Sequence, residues 1–505
     1  MDLRRFIGQS VHSGVFFVLG YASRLLLAIA LGKSLTTQEY GVYSLIGAVL
    51  GMSTSLLPLG VSQYFMREVP GIPASRAATI FKSVVGIQLI TMGCLFGVTL
   101  TLPWSRAWLT HRLGLPAESG LILLISALIL VETLASDFAR FLFSRKEIER
   151  GNIVAFFQTG CWAYAAFALF AVKPTAVNLT TVLALWCASL VLAIVYGGWR
   201  SNLRVLMVAP FQPSVYVTAL GFALPLLSSQ FLAVVNWLGR FLIAGTYSTT
   251  AVGIYTYHYN VVLMIAAISS PLIGTPLDPY VVEAYNTGQH QRSGYLLGAA
   301  MRYRLLLVIP LLVVAGMWSD VLIRSMARSD YAAGHLLALL TPVPILMIVS
   351  STFERVLFLE RRTPITGRCY LYAAAVQLVL YLMLVPWHPY FGPAVATEGG
   401  LAALALLLWY HARSAAVTIE TALGRVALAG VLCLGVAWVL AKIIPPLPRL
   451  LFLTVVTTVV GASYLLFAYL FRVILEPERR LFVDAIRGGC KLLWSLRVGG
   501  SSHVQ

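Results

Sequence analysis

Charge is what this sequence lacks most: only 11% of its 505 residues are Asp, Glu, Lys or Arg, where an ordinary soluble domain carries roughly 25%. A soluble globular enzyme is thereby excluded. Acid is the scarcer sign, with 19 Asp and Glu against 36 Lys and Arg, a net charge of +17. Cysteine is sparse as well. Cys94, Cys161, Cys187, Cys369, Cys433 and Cys490 are scattered, with no CxxC or Cys/His spacing, so they read as small core residues and supply neither a disulfide framework nor a metal site. What is abundant is hydrocarbon. The chain is 59% hydrophobic with a mean hydropathy of +0.84, and most of it must sit in a bilayer.

A helix crosses the hydrocarbon core, about 30 Å thick, with some 20 apolar residues. Runs of that kind lie at 11–31, 41–63, 83–103, 119–139, 152–172, 178–199, 218–244, 251–276, 303–323, 334–357, 369–386, 393–412, 425–444 and 449–472. They predict an all-α polytopic membrane protein with 14 transmembrane helices. The runs are continuous and Leu/Ala-rich instead of alternating, which excludes a strand barrel. With the N-terminus placed inside, 26 of the 36 basic residues fall in the inner segments, eight fall in the outer ones, and Arg24 and Arg240 remain within spans. This bias satisfies the positive-inside rule with both termini cytoplasmic. It also accounts for most of the positive charge without nucleic acid as a partner. Arg4 and Arg5 before an apolar run suggest a signal peptide, but Arg24 interrupts that run. From Glu476 onward, Leu481, Phe482, Ala485, Ile486, Leu493 and Leu496 fall near one helical face. The tail is expected to lie as a basic amphipathic helix on anionic membrane lipids.

The first two spans are echoed half-way along. Ser23-Arg24-Leu25-Leu26-Leu27-Ala28, then Thr36-Thr37 and Gly41-Val42-Tyr43, match Gly239-Arg240-Phe241-Leu242-Ile243-Ala244, then Thr249-Thr250 and Gly253-Ile254-Tyr255. Pro58 and Pro271 follow at corresponding places. Six spans separate the copies, so the halves share one orientation and form a parallel repeat about an axis along the membrane normal. The expected architecture is two parallel-repeat bundles around a central cleft: an N-terminal bundle over 1–204, a C-terminal bundle over 205–413, two additional spans over 414–475 and the tail over 476–505.

Ser23-Arg24-Leu25-Leu26, with Gln38-Glu39-Tyr40-Gly41-Val42-Tyr43-Ser44 and Gly60-Val61-Ser62-Gln63-Tyr64-Phe65-Met66-Arg67-Glu68, resembles the start of the polysaccharide biosynthesis (oligosaccharide flippase) family. That family belongs to the multidrug/oligosaccharidyl-lipid/polysaccharide (MOP) exporter superfamily, which includes the O-antigen flippases. The resemblance implies a MATE/MOP-like fold and alternating access. It implies translocation of an undecaprenyl-pyrophosphate-linked oligosaccharide across a bacterial inner membrane, for lipopolysaccharide, O-antigen or exopolysaccharide synthesis, with a polysaccharide polymerase and glycosyltransferases as partners. The superfamily also includes cation-coupled drug exporters.

A charge at mid-membrane is costly and usually faces a cavity. Arg24 lies 13 residues into its span, about 20 Å from the inner face at 1.5 Å per residue. Arg240 lies five residues before Gly245, where facing the cleft and snorkelling are equally open to it. Planar guanidinium forks suit bidentate binding of phosphate oxygens, and these two are the expected anion-binding residues. Tyr255, His258, Asn260 and Asn236 could stack on and hydrogen-bond sugars, or could be packing residues near the interface. Glu132 is the candidate for a coupling-ion site. No cofactor is expected, and transport is expected to couple to H⁺, Na⁺ or the membrane potential. The outer connections offer only Glu39, Glu118, Asp320, Asp330 and His111 for catalysis, so a membrane-embedded transferase is not expected.

Overall fold

Once water is gone, each apolar run must satisfy its own backbone, and a helix does so within one segment. The computed structural model describes residues 3–56, 63–70, 72–101, 119–145, 147–201, 203–223, 227–228, 230–270, 273, 275–419, 421–444 and 448–473. Among them every regular element is helical. The first half holds α1 (Leu3–Ser34), α2 (Thr37–Leu56), α3 (Gln63–Glu68), α4 (Ala74–Thr101), α5 (Ser119–Ser144), α6 (Ile148–Val172), α7 (Leu179–Arg200) and α8 (Leu203–Val208). The second half runs through α9 (Pro213–Ala223), α10 (Phe231–Thr246), α11 (Thr249–Ser269), α12 (Thr275–Asn286), α13 (His290–Met317), α14 (Ser319–Met326), α15 (Leu336–Leu359), α16 (Thr363–Leu384) and α17 (Phe391–Ala412). The last two helices among the described residues are α18 (Leu423–Ile443) and α19 (Arg449–Leu470).

Ten helices among the described residues are long and apolar enough to cross a membrane: α4, α6, α7, α11, α13 and α15 to α19. The other four expected spans fall on α1, α2, α5 and the stretch divided between α9 and α10. Pro58, Pro225, Pro271 and the basic tail lie outside the described residues. One boundary departs from the apolar pattern. The span expected at 303–323 is a helix from His290 to Met317, because Arg302 and Arg304, which end the apolar run in sequence, turn inward. Arg302 is fully buried with its guanidinium 5.9 Å from the Tyr295 ring centroid.

Two hydrophobic cores organise the molecule. The smaller joins α2 to α5, α7 and α9 around Phe65, Phe81, Phe138 and Phe141, whose rings meet at centroid separations from 4.6 to 5.6 Å for the Phe81 contacts. The larger joins α10, α11, α13 and α15 to α19, and it also takes Leu27 and Leu31 of α1 and Leu35 just beyond it. Helices α18 and α19 pack on each other and on α13, leaving Val431, Trp438, Leu465 and Leu466 exposed, as a lipid-facing surface requires.

Where the halves meet, the repeated motifs touch each other. Helix α2 opens with a reciprocal cap: Glu39 Oε2 accepts from the Thr36 backbone N–H at 2.8 Å, and Thr36 Oγ1 accepts from the Glu39 N–H at 3.2 Å. Helix α11 opens on Ser248, whose Oγ accepts from the Ala251 N–H at 3.2 Å. One turn further on, the two helices cross so closely that a methyl group on Gly41 would overlap the Thr249 carbonyl, and one on Gly253 would overlap the Thr37 carbonyl. The contact is reciprocal, as a two-fold axis between equivalent motifs makes it. Small residues at such a crossing let two helix backbones approach within a membrane.

Candidate functional site: a cavity between the halves

Beside that crossing lies a cavity of about 610 Å³. The first half lines it from α1 with Arg24, Leu27, Ala28 and Leu31, from α2 with Tyr40 and Tyr43, and from α5 to α7 with Glu132, Gln158, Thr159, Trp162 and Trp186. The second half contributes Asn260, Leu263 and Met264 from α11, Arg304 from α13, and Met347, Ile348 and Ser351 from α15. Two guanidinium groups and one carboxylate therefore share a mostly apolar space.

Arg24 is exposed and stands 5.5 Å from the Tyr21 ring centroid. Arg304, which its position at the edge of an apolar run had placed among the inner-segment charges, is a cavity residue in the body of α13. Its Nη1 donates to Ser351 Oγ at 3.0 Å and its Nε reaches Ser269 Oγ at 3.5 Å. Those hydroxyls hold the fork in place and leave further N–H groups for a ligand. The same arginine also lines a second pocket of about 360 Å³ that shares Ser270 and Ser351 with the first and extends past Asp278, Glu354 and Arg355. Arg355 Nη2 pairs with Asp278 Oδ2 there at 3.1 Å. The arginine contribution was missed because a charge beside a span boundary looks like topology; only the inward turn of α13 reveals it.

Glu132 projects from α5 and accepts two neutral hydrogen bonds, from Gln158 Nε2 at 2.6 Å and from Trp186 Nε1 at 3.2 Å. Gln158 and Thr159 reach the cavity through a π-helical turn, Phe157–Cys161, that interrupts α6. Such turns release backbone groups and often mark functional sites; here Ser189 Oγ takes up the Phe157 carbonyl.

Of the six residues expected to meet substrate, the structure brings Arg24 and Asn260 to the cavity wall, and Asn260 Nδ2 donates to the Tyr40 hydroxyl at 3.1 Å. The other four are not among its lining residues. Arg240, expected beside Arg24 or at the interface, is buried, with its guanidinium 4.3 Å from the Trp237 ring centroid and Nη1 donating to the Ser44 carbonyl at 3.2 Å. Burial follows from α10 packing against α2, which encloses the side chain between the halves. Tyr255 stacks on Tyr259 and bonds to Thr397 Oγ1 at 3.2 Å. Asn236 links the Tyr259 and Tyr381 hydroxyls at 2.7 and 3.2 Å. His258 Nδ1 contacts the Ile254 carbonyl at 2.9 Å within its own helix. Tyr255, Tyr259, Asn236, Tyr381 and Thr397 form a polar network inside the second half, while His258 is buried and bonds within its own helix.

One end of the cavity is sealed. Tyr40, Tyr257 and Tyr331 pack ring against ring. Tyr257 donates to the Ala28 carbonyl at 3.1 Å, and Tyr331 to the Leu35 and Thr36 carbonyls at 3.2 and 3.1 Å. Lys33 Nζ donates to the Arg324 and Ala327 carbonyls at 3.0 and 2.8 Å, and the Arg328 N–H to the Gly32 carbonyl at 2.9 Å. Each of these bonds crosses from one half to the other to a backbone carbonyl, so the seal depends on helix position. Among the described residues no group of His, Cys, Asp and Glu is arranged to hold a metal ion.

Comparison with known proteins sets this architecture in a class. The lipid II flippase MurJ, in an inward closed conformation, superposes with a TM-score of 0.70 at 14% identity, over 92% of this chain and 98% of that one. An inward-facing multidrug resistance MATE family transporter of the MOP superfamily gives 0.57 at 12% identity, over 80% and 98%. A MOP superfamily transporter from Pyrococcus furiosus, described by the reverse polarity of its binding pocket, gives 0.52 at 12% identity, over 80% and 94%. No family model matches the sequence, and no curated protein matches it. The fold is that of MurJ and the MATE transporters.

Proposed function

We propose that this chain is a flippase that carries a lipid-linked oligosaccharide, joined through pyrophosphate to undecaprenol, across a bacterial inner membrane by alternating access. Fourteen spans with both termini in the cytoplasm, and a basic tail on the inner leaflet, complete this reading. The observation that carries it is the pair Arg24 and Arg304 on the wall of one cavity between the halves. Two guanidinium forks suit the oxygens of a diphosphate. Holding guanidinium groups within a membrane is costly, and an anion bound between them offsets that cost. The fold shared with a lipid II flippase supports the same reading.

A dianionic headgroup moving outward across a membrane negative inside gains about 2.3 kcal/mol per charge per 100 mV. The potential therefore favours export by itself, and a coupling ion is helpful without being obligatory. The test of the site is replacement of Arg24 by Ala and by Lys in cells whose surface polysaccharide depends on the protein. Loss of polysaccharide with Arg24→Ala, the protein still in the membrane, is expected; normal polysaccharide overturns the anion role of Arg24.

A second reading, a cation-coupled multidrug exporter, has one observation in its favour, the Glu132 carboxylate beside Trp162 and Trp186. Carboxylates and aromatic faces are what a cationic drug requires. Binding of tetraphenylphosphonium but not of pyrophosphate by the purified protein would select it.

A further inference from the structure

The arginines account for one chemistry in the cavity and leave the wall built from α5, α6 and α7 unused. We propose that this wall is a sugar subsite, which takes an uncharged, hydroxyl-bearing ring of the cargo next to its diphosphate; the assignment rests on the anionic-headgroup reading above. Four groups make it. Glu132 accepts one hydrogen bond on each oxygen, from Gln158 and Trp186, and a carboxylate has about four lone-pair sites, so both oxygens can accept again. The Gln158 carboxamide is placed by the π turn, with its nitrogen on Glu132 and its carbonyl still an acceptor. The Trp162 indole is 6% exposed and lines the cavity, and its Nε1–H is buried without an acceptor among the described residues. Trp186 stacks on it, with ring centroids 4.9 Å apart and planes 10° from parallel, and also faces the cavity.

Three ligand chemistries can be weighed against this set. A phosphate could take the indole N–H, but it would meet the Glu132 carboxylate at close range, and like charges in a low-dielectric site repel strongly. A cationic drug would satisfy the carboxylate and the ring faces but would leave the Trp162 donor unpaired, a costly state for a buried polar group. A sugar ring answers every group at once. Its hydroxyls donate to Glu132 and the Gln158 carbonyl, one hydroxyl oxygen accepts from Trp162, and its C–H face lies on an aromatic ring whose face carries partial negative charge. Glu132 also turns the anionic part of the cargo toward Arg24 and Arg304, which orients the headgroup as well as binding it.

The test uses the full-length protein in lipid nanodiscs and titration calorimetry with three probes: inorganic pyrophosphate, a hexose 1-diphosphate without lipid, and tetraphenylphosphonium. Wild type is expected to bind the sugar diphosphate about tenfold more tightly than pyrophosphate, the equivalent of one or two net hydrogen bonds. Glu132→Gln and Trp162→Phe are each expected to remove most of that preference; Trp162→Phe should leave pyrophosphate affinity unchanged, and Glu132→Gln, which removes a like charge, should not lower it. The second variant keeps an aromatic ring and deletes the indole N–H, so it reads the subsite even where the first perturbs folding. Equal affinity of wild type for the two diphosphates overturns the sugar subsite alone. A preference that survives in both variants does the same. Failure of wild type to bind either diphosphate overturns the anionic-headgroup reading and this assignment with it. Tight tetraphenylphosphonium binding that disappears in Glu132→Gln assigns the wall to cations and overturns the proposal.

Discussion

Arg24, Arg240 and Arg304 are chemically identical and sit within the same group of helices, yet each has a different environment. Arg24 faces the cavity with a tyrosine ring beside it, Arg304 is held by two serine hydroxyls, and Arg240 is enclosed, with a carbonyl and an indole for company. Their substitutions should therefore separate. Arg304→Ala is expected to reduce transport at least about tenfold, with Arg304→Lys recovering only part of it, because a point charge replaces a fork that can bind two oxygens; proteoliposome assays at matched protein levels check this. Arg240→Ala is expected to act on folding instead. It leaves the Ser44 carbonyl without its donor and a space beside Trp237, so a lower yield of monodisperse protein and a lower melting temperature should appear, whereas Arg24→Ala should melt like wild type. Sequence position made Arg24 legible as a cavity residue, since a lone charge deep in an apolar run has few other places to go. It misplaced Arg304, because a charge near the end of an apolar run is indistinguishable from an interfacial one until the helix start is known. For Arg240 it left two environments open, and the structure places the side chain in a third.

At the scale of helices, the repeat had a consequence that sequence alone could not state: the matched glycines meet. Gly41 and Gly253 lie opposite each other's threonine carbonyls, and no larger residue fits either place without moving a helix. Gly253→Val is expected to hold α2 and α11 apart and to open the sealed end of the cavity. With Asn260→Cys as a reporter on the cavity wall, a membrane-impermeant maleimide added from that side should label the double variant several-fold faster than the Asn260→Cys protein alone; equal labelling would show that the crossing does not control access. The cap of α2 is a smaller effect of the same kind. Thr36→Ala removes the hydroxyl that receives the Glu39 N–H and should cost about 1 kcal/mol, visible as a modest fall in melting temperature. Thr36 and Glu39 have the spacing of a capping box, so this contact is local in origin. The π turn in α6 was not legible in the sequence: Thr159 and Gly160 are weak helix formers, but such residues recur along many of the spans, so nothing set Gln158 and Thr159 apart as cavity residues.

For the molecule as a whole, the proposed flippase activity makes charge and potential set the direction of transport. In vesicles with the membrane potential clamped negative on the cytoplasmic side, export of an anionic lipid-linked headgroup should continue when Na⁺ and the pH gradient are removed, and should slow when the potential is collapsed. Abolition by removing either ion gradient at constant potential would overturn that expectation. Sequence by itself determined that the chain is helical and lives in a bilayer, because a run of apolar residues has only that way to satisfy its backbone. It also led to the expectation that the two halves run parallel, because an even number of expected spans separates the matched motifs. Which polar residues share a cavity was decided only by the tertiary structure. A helix presents its side chains all round, and the face that meets a cleft, a neighbouring helix or lipid depends on how the helices are rotated and crossed. That rotation buried Arg240, Tyr255 and His258 and left Asn236 half-buried, and it brought Arg304 and the Glu132 wall to the space where Arg24 already pointed.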